Sequence, residues 1–308
     1  MAKQIGIANL IGLCFGLSAL AAVAAPPQQQ RVFVSAEQAV EALIAAHRDD
    51  QLGELSRILG PGGYKLIHSG DPVADRNHRA RFIAAYDSAH RIEYSGEARA
   101  TLVVGAEEWP LPIPLIRTGS GWHFDTPAAK QEILNRRIGR NELSVIEVCR
   151  AYVAAQREYA TLAAAATGRP EYAQRFASRT GSHDGLYWPT TAGEPASPLG
   201  PLLALARAGG YDTDSVAGMP QPYHGYIYAI LTRQGAHAPG GARDFIVDGH
   251  MTGGFALVAY PAVYGNSGIM TFIVSQDGIV FERNLGPDTK GRAQRIAEFD
   301  PDTGWRAP

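Results

Sequence analysis

The chain has 308 residues, enough for roughly two domains at about 150 residues each, so each half can bury a core of its own. A 45% hydrophobic and 19% charged composition excludes a disordered chain and a multi-span membrane protein. Twenty-eight Lys and Arg against thirty Asp and Glu leave a net charge of −2, without the basic excess that marks a nucleic-acid binder, and no nucleic-acid partner is expected.

The N-terminus reads Met1-Ala2-Lys3, an apolar run from Ile5 to Val23, and small residues at Ala22-Val23-Ala24, the three-part layout of a cleavable secretory signal over residues 1–24. A run of about 20 apolar residues could also span a bilayer, but Gly6, Asn9, Gly12, Gly16 and Ser18 dilute it. Pro26-Pro27 and Gln28 to Gln30 follow at once, which predicts an extended spacer over 25–34. Leu13 is not the small residue that lipid attachment at Cys14 would need. The expected product is an exported chain, periplasmic or extracellular, with no membrane span after signal removal. It keeps Cys149 alone, so no intramolecular disulfide is expected. Cys149 lies on the apolar face of a helical pattern and reads as a small hydrophobe rather than a nucleophile.

Ser35-Ala36-Glu37-Gln38 is a capping box, and Val40, Leu43, Ile44 and His47 follow at helical spacing. A second helix carries Leu52, Leu55, Ile58 and Leu59 and stops at Gly60-Pro61. Asp71-Pro72 starts a third, running to about Ala89 and burying Phe82, Ile83 and Tyr86. The period then turns extended at 99–105, Trp109 to Ile116, and Gly121 to Phe124, with Pro110, Pro112 and Pro114 making the middle segment an edge or partly irregular. Helices followed by an antiparallel meander predict an α+β arrangement over 35–126, which resembles in outline the small cone-shaped folds of the nuclear-transport-factor-two type.

Thr126-Pro127 opens a further helix that continues to about Ala165 with a possible break at Gly139, beginning a second unit over 127–308. Glu171 to Ala177 reads as a short helical insert and Pro198 to Ala208 as a second short helix. Strands follow at Tyr226 to Thr232, Asp244 to Val247, Gly254 to Tyr260, Ile269 to Val274 and Ile279 to Arg283, with Asp277-Gly278 as a hairpin turn between the last two.

Several segments, among them Ile133 to Leu143, Gln156 to Ala160, Asp184-Gly185-Leu186-Tyr187-Trp188-Pro189, Pro222 to Tyr226 and Gly253 to Pro261, resemble the exported bacterial family catalogued as domain of unknown function 2950. The resemblance covers essentially the whole mature chain and implies no activity. The second half also resembles the globular part of type IV pilins and pseudopilins: a long helix, a variable loop and an antiparallel sheet. Its helix is charged and lies mid-chain, so filament assembly is not implied. The resemblance suggests a cation loop before Glu171-Tyr172-Ala173-Gln174, but Ala166-Thr167-Gly168-Arg169-Pro170 supplies no acidic ligand.

No G-x-S-x-G pentapeptide and no H-E-x-x-H motif is present. Ser267 reads as a turn residue beside Gly265 and Gly268. Ser182-His183-Asp184 is consecutive, which is not the geometry of a triad. His183, Asp184, His224, Asp248 and His250 would need three separate loops to converge on a metal.

His68, Asp71, Asp75, His78 and Arg81 form a polar cluster around the third helix, read either as an acid–base pair in a cone pocket or as a cap, an Asp75–Arg79 pair and a solvated face. Arg136, Arg137 and Arg140 could dock an anion or pair internally at the junction of the halves.

The candidate ligand surface is Asp184, Tyr187, Trp188, Tyr223, His224 and Tyr226, since Tyr and Trp combine large contact area with a polar tip. The other reading of that set is a loop plug packed on the sheet. The expectation is a non-enzymatic envelope protein that binds a protein or polymer and uses no cofactor. The alternative is an exported hydrolase, metal-dependent or not, built on Asp184, His183 and His224.

Overall fold

The computed structural model describes residues 29–190, 193, 195–212 and 221–308. The expected signal and the start of the spacer lie outside the described residues. The chain is α+β: helices on a first antiparallel sheet, a long helix, then a second antiparallel sheet.

The first half opens with α1 (Ala36–Arg48), where the Ser35 hydroxyl accepts the Gln38 amide at 3.3 Å as the capping box requires. Next come α2 (Leu52–Leu59), α3 (Gly63–Ile67) and α4 (Pro72–Ser88). Asp71 caps α4 by accepting the Ala74 amide at 3.0 Å, with Pro72 in the first turn. The sheet comprises β1 (His90–Tyr94), β2 (Arg99–Val104), β3 (Trp109–Pro110), β4 (Leu115–Thr118) and β5 (Gly121–Phe124), in the order β1-β2-β4-β5 with β3 also on β2. The alternating prolines split the segment expected at Trp109 to Ile116 into β3 and the start of β4, since proline cannot donate to a ladder. The described part of the spacer is docked: Phe33 exchanges backbone hydrogen bonds of 2.8 Å with Trp122 and is itself buried.

A single 42-residue helix, α5 (Thr126–Thr167), follows. It runs unbroken through Gly139, where glycine costs about 1 kcal/mol relative to alanine but packing on both sides holds the helical path. Gly168 ends it with φ of +76°, a left-handed cap. Residues 171–177, expected as helix, are irregular instead, with a bend at 174–176: Tyr172 bridges Met251, and buried Gln156 exchanges two 2.8 Å hydrogen bonds with the Ala173 backbone. That side-chain clamp takes up the amide and carbonyl a helix would have paired internally.

After α6 (Gly200–Ala208) come β6 (Tyr226–Leu231), β7 (Arg233–Gln234), β8 (Arg243–Asp244), β9 (Ile246–Val247), β10 (His250–Met251), β11 (Ala256–Pro261), β12 (Met270–Ser275), β13 (Val280–Asn284) and α7 (Thr289–Ala293). Fully buried Phe245 separates β8 from β9, splitting the strand expected there. The main sheet is antiparallel in the order β13-β12-β11-β6, and Asp277-Gly278 turns β12 into β13 with Gly278 at φ +80°.

The two sheets share no strand, and two hydrophobic clusters form. The first gathers Leu43, Leu55, Ile58, Leu102, Leu115 and Phe124, and takes Ala129 and Ile133 from α5. The second gathers Tyr152, Val153, Phe255, Leu257, Phe272 and Ile273. Between them α5 carries Arg137, only 7% exposed, whose guanidinium donates to the carbonyls of Lys65 and Leu66 and to Asn266 Oδ1 at 2.6 Å. Asn266 in turn donates to the His68 carbonyl at 2.6 Å. Among the described residues no helix is long and apolar enough to cross a membrane.

Removing the Arg137 guanidinium strands two carbonyls and an amide oxygen. Arg137→Ala should therefore cost about 3 kcal/mol, read from urea unfolding. A loss below about 1 kcal/mol would show that water replaces these bonds freely.

Candidate functional site

A large opening in the first half follows from one helix that packs loosely. Of the residues in α4 only Asp75 is fully buried; Phe82, Ile83 and Tyr86, expected in the core, are half-buried. Beneath them lies a cavity of about 750 Å³, within the range of small-molecule sites. Its apolar wall comes from Leu43 of α1, Phe82 and Ala85 of α4, Val104 of β2, the Leu111 to Ile113 segment, and Ile133 of α5. Trp109 on β3, 45% exposed, stands among the lining residues.

One polar flank of this cavity unites two sets that sequence alone kept apart. From α4 come Asp75, His78, Arg79 and Arg81; from α5 come Arg136, Arg137 and Arg140. Asp75 does not pair with Arg79, because its carboxylate accepts the Ser69 amide at 2.9 Å while Arg79 reaches Asp50 at 2.8 Å. Arg136 pairs with Glu132 one turn earlier. Arg137 is held as described above. Arg81 and Arg140 have no carboxylate partner among the described residues.

Desolvation, and then the charges of Arg81, Arg140 and Arg137, hold the His78 imidazole below its ordinary pKa, against the opposing pull of Asp75. His47, also in the wall, is pushed down to about 4 by desolvation and then Arg79, so it is neutral near pH 7. Its Nδ1 is buried without a partner among the described residues, and its ring packs on Phe82 at 5.0 Å. No hydrogen bond joins Asp75 to His78 among the described residues, so the acid–base pair is not assembled.

The six aromatic-loop residues fall into separate places. Trp188 is 4% exposed, donates its indole N–H to the Pro195 carbonyl at 3.2 Å, and stacks on His183 at 4.4 Å. Tyr226 is fully buried, its hydroxyl donating to the Met270 carbonyl at 2.9 Å. These two are core residues and offer no exposed aromatic face. Tyr187 is half-buried under the Arg207 guanidinium, 5.4 Å from the ring centre.

Asp184 organises its own loop. Its carboxylate accepts the Ser182 hydroxyl, the Arg179 amide and the Arg179 guanidinium at 2.7, 2.8 and 2.7 Å. Ser182 thus bonds Asp184 rather than His183, and no Ser-His-Asp relay exists there.

Tyr223 and His224 belong to the junction with the first half. Asp71 is 1% exposed and accepts the Tyr211 hydroxyl at 2.8 Å and the Gly225 amide at 3.0 Å; Tyr211 packs edge-on against Tyr223 at 5.0 Å. The polar cluster at 68–81 and the 223–226 segment, treated as rival sites in sequence, therefore meet through Asp71. Gly225 is required there: its φ is +74°, and a Cβ would lie 2.7 Å from the Asn141 side-chain nitrogen.

Among the described residues no group of three His, Cys, Asp or Glu is placed to hold a metal ion, so His183, Asp184, His224, Asp248 and His250 do not converge. His250 pairs with Glu171 instead. Burial pushes the Cys149 thiol up to about 12, which leaves it unreactive.

Two antiparallel sheets joined by one helix, with an apolar cavity flanked by arginines, define an α+β protein with a small-molecule-sized site. The chain belongs to the family described as protein of unknown function (DUF2950), which matches residues 30–307. No curated protein and no solved structure matches the chain.

The Asp184 loop carries a pH signature. Partial burial pushes its carboxyl up, but the bonds from Ser182 and Arg179, with Arg175 nearby, outweigh that and hold it at about 2. A carboxyl lowered on folding stabilises fully above about pH 4 and loses that contribution as pH falls through about 2. Asp184→Asn should lower Tm above pH 4 by the equivalent of at most about 1 kcal/mol, converging with the parent as pH 2 is approached. A difference that persists unchanged to pH 2 would assign the effect to something other than the charge.

Proposed function

We propose that this chain is an exported, non-enzymatic binding protein of the cell envelope, and that its ligand site is the cavity between α4, the start of α5 and the first sheet. The observation that carries this reading is the cavity itself: about 750 Å³ of apolar-walled space under a helix whose large side chains are only half-buried. Burying a ligand there would remove apolar area from water on both partners, at about 25 cal/mol per Å². Export rests on the signal layout of residues 1–24, and the two-unit organisation on the two sheets and two cores.

The polar groups of the cavity support binding over catalysis. Asp75 accepts a backbone amide, and the His47 Nδ1 has no hydrogen-bond partner among the described residues. The aromatic-loop surface survives as a second reading only in Tyr223 and His224, half-buried beside Tyr211, where a protein or polymer of the envelope would meet both halves.

The uncharged dye N-phenyl-1-naphthylamine, which brightens in apolar surroundings, tests the cavity directly. It should bind the parent protein, and Ile133→Trp, which fills the space, should abolish the signal without lowering Tm. No binding by the parent, or equal binding by a folded Ile133→Trp protein, would refute the site.

A further inference from the structure

Resting on that cavity reading, we propose that its ligand is a single-chain amphiphile with an anionic head: the tail lies among Leu43, Phe82, Ile113 and Ile133, and the head sits between Arg81 and Arg140.

The charge inventory of the lining selects these two arginines. Arg79, Arg136 and Arg137 are each engaged, by Asp50, by Glu132, and by two carbonyls with Asn266. Arg81 and Arg140 have no carboxylate among the described residues. They come from different helices, α4 and α5, and both line this one cavity. Of the lining carboxylates, Asp75 accepts the Ser69 amide and acts electrostatically on Arg137, and Glu107 lies in the turn before β3. Two uncommitted guanidiniums beside an apolar void complement a carboxylate or sulfate on an alkyl chain, because a planar guanidinium donates two parallel bonds to such a group. His47, neutral near pH 7, packs on Phe82, and the tail's neighbours Leu43, Phe82, Ile113 and Ile133 carry no charge, so this part of the wall suits a hydrocarbon. A cationic amphiphile would meet the arginines, and a neutral one would leave them without a counter-ion.

Displacement of N-phenyl-1-naphthylamine separates the two levels of the argument. Decanoate, decanol and decyltrimethylammonium share one tail and differ in head, and each is used below its micelle concentration. Decanoate should displace the dye at about tenfold lower concentration than decanol, although decanol is the more hydrophobic, and the ammonium compound should be weakest. Arg81→Gln with Arg140→Gln should raise the decanoate midpoint to that of decanol, while dye and decanol binding stay unchanged and confirm that the variant is folded. Equal displacement by decanoate and decanol in the parent overturns the anionic head but leaves the cavity standing. Failure of the dye to bind at all overturns both. Retention of the decanoate preference in the double variant overturns the assignment to these two residues. Binding to phosphatidylglycerol vesicles without displacement by decanoate overturns it in favour of a bilayer surface.

Discussion

One helix serves two hydrophobic cores, and the polar stretch in its middle sets how the rest of the chain can be arranged. Where α5 leaves the first core, Arg137, Asn141 and Glu142 stand beside buried Ile138. Polar groups taken from water must be paired, and each of these three is paired to backbone, Arg137 also to Asn266 and Glu142 also to the Tyr226 hydroxyl. Arg137 fixes the end of α3 through the Lys65 and Leu66 carbonyls; Asn141 donates to the Ser267 carbonyl at 2.8 Å; Glu142 accepts the Ile269 and Met270 amides at 2.9 Å each. The approach to β12 and the approach to α4 are thereby referenced to consecutive turns of a single helix. Asp71 completes the arrangement from the other side, capping α4 with one oxygen and gripping Tyr211 and Gly225 with the other.

That anchoring explains the cavity. α4 is held at its N-terminus by the Asp71 cap and by Asn77, which donates to the Gly209 carbonyl at 2.7 Å. A helix so fixed, with few large apolar residues, meets the sheet at its C-terminal end, where Ala85 accepts the Gly105 amide at 3.1 Å, and the gap remains beneath Phe82. Closing it by burial would favour folding, at about 0.8 kcal/mol per methylene, so its persistence reflects competing polar contacts at the helix start.

Punctuation residues carried most of what the sequence disclosed about the fold. Ser35, Asp71-Pro72, Thr126-Pro127 and Asp277-Gly278 act through local backbone chemistry, and the elements they open stand where they place them, with Asp125 rather than Thr126 as the cap of α5. Strand β1 was not legible, because His90-Arg91-Ile92-Glu93-Tyr94 is an edge strand in which Ile92 alone is half-buried, and its ladder to β2 holds it extended. Residues 171–177 misled for the opposite reason: Tyr172 and Phe176 have helical spacing, but a side chain 17 residues away captures the backbone. The chemistry-bearing residues were partly visible as two charged groups at 68–81 and 136–140. Nothing in one dimension says that they flank the same void, since a void is a property of how far apart two helices stand. The aromatics at Trp188 and Tyr226 looked like a binding surface because large side chains are needed equally for recognition and for a core.

Cys149 lies fully buried on the inner side of α5, against the second sheet, and it is the free cysteine among the described residues. A thiol with no exposure reacts with a labelling reagent only when its surroundings part, so its modification rate measures how often the helix lifts from the sheet. The protein thus contains a built-in clock for the opening of its second core, placed on the same helix whose other end walls the cavity. Events at the cavity that loosen or tighten α5 would be timed by a sulfur atom several helical turns away, without any added probe.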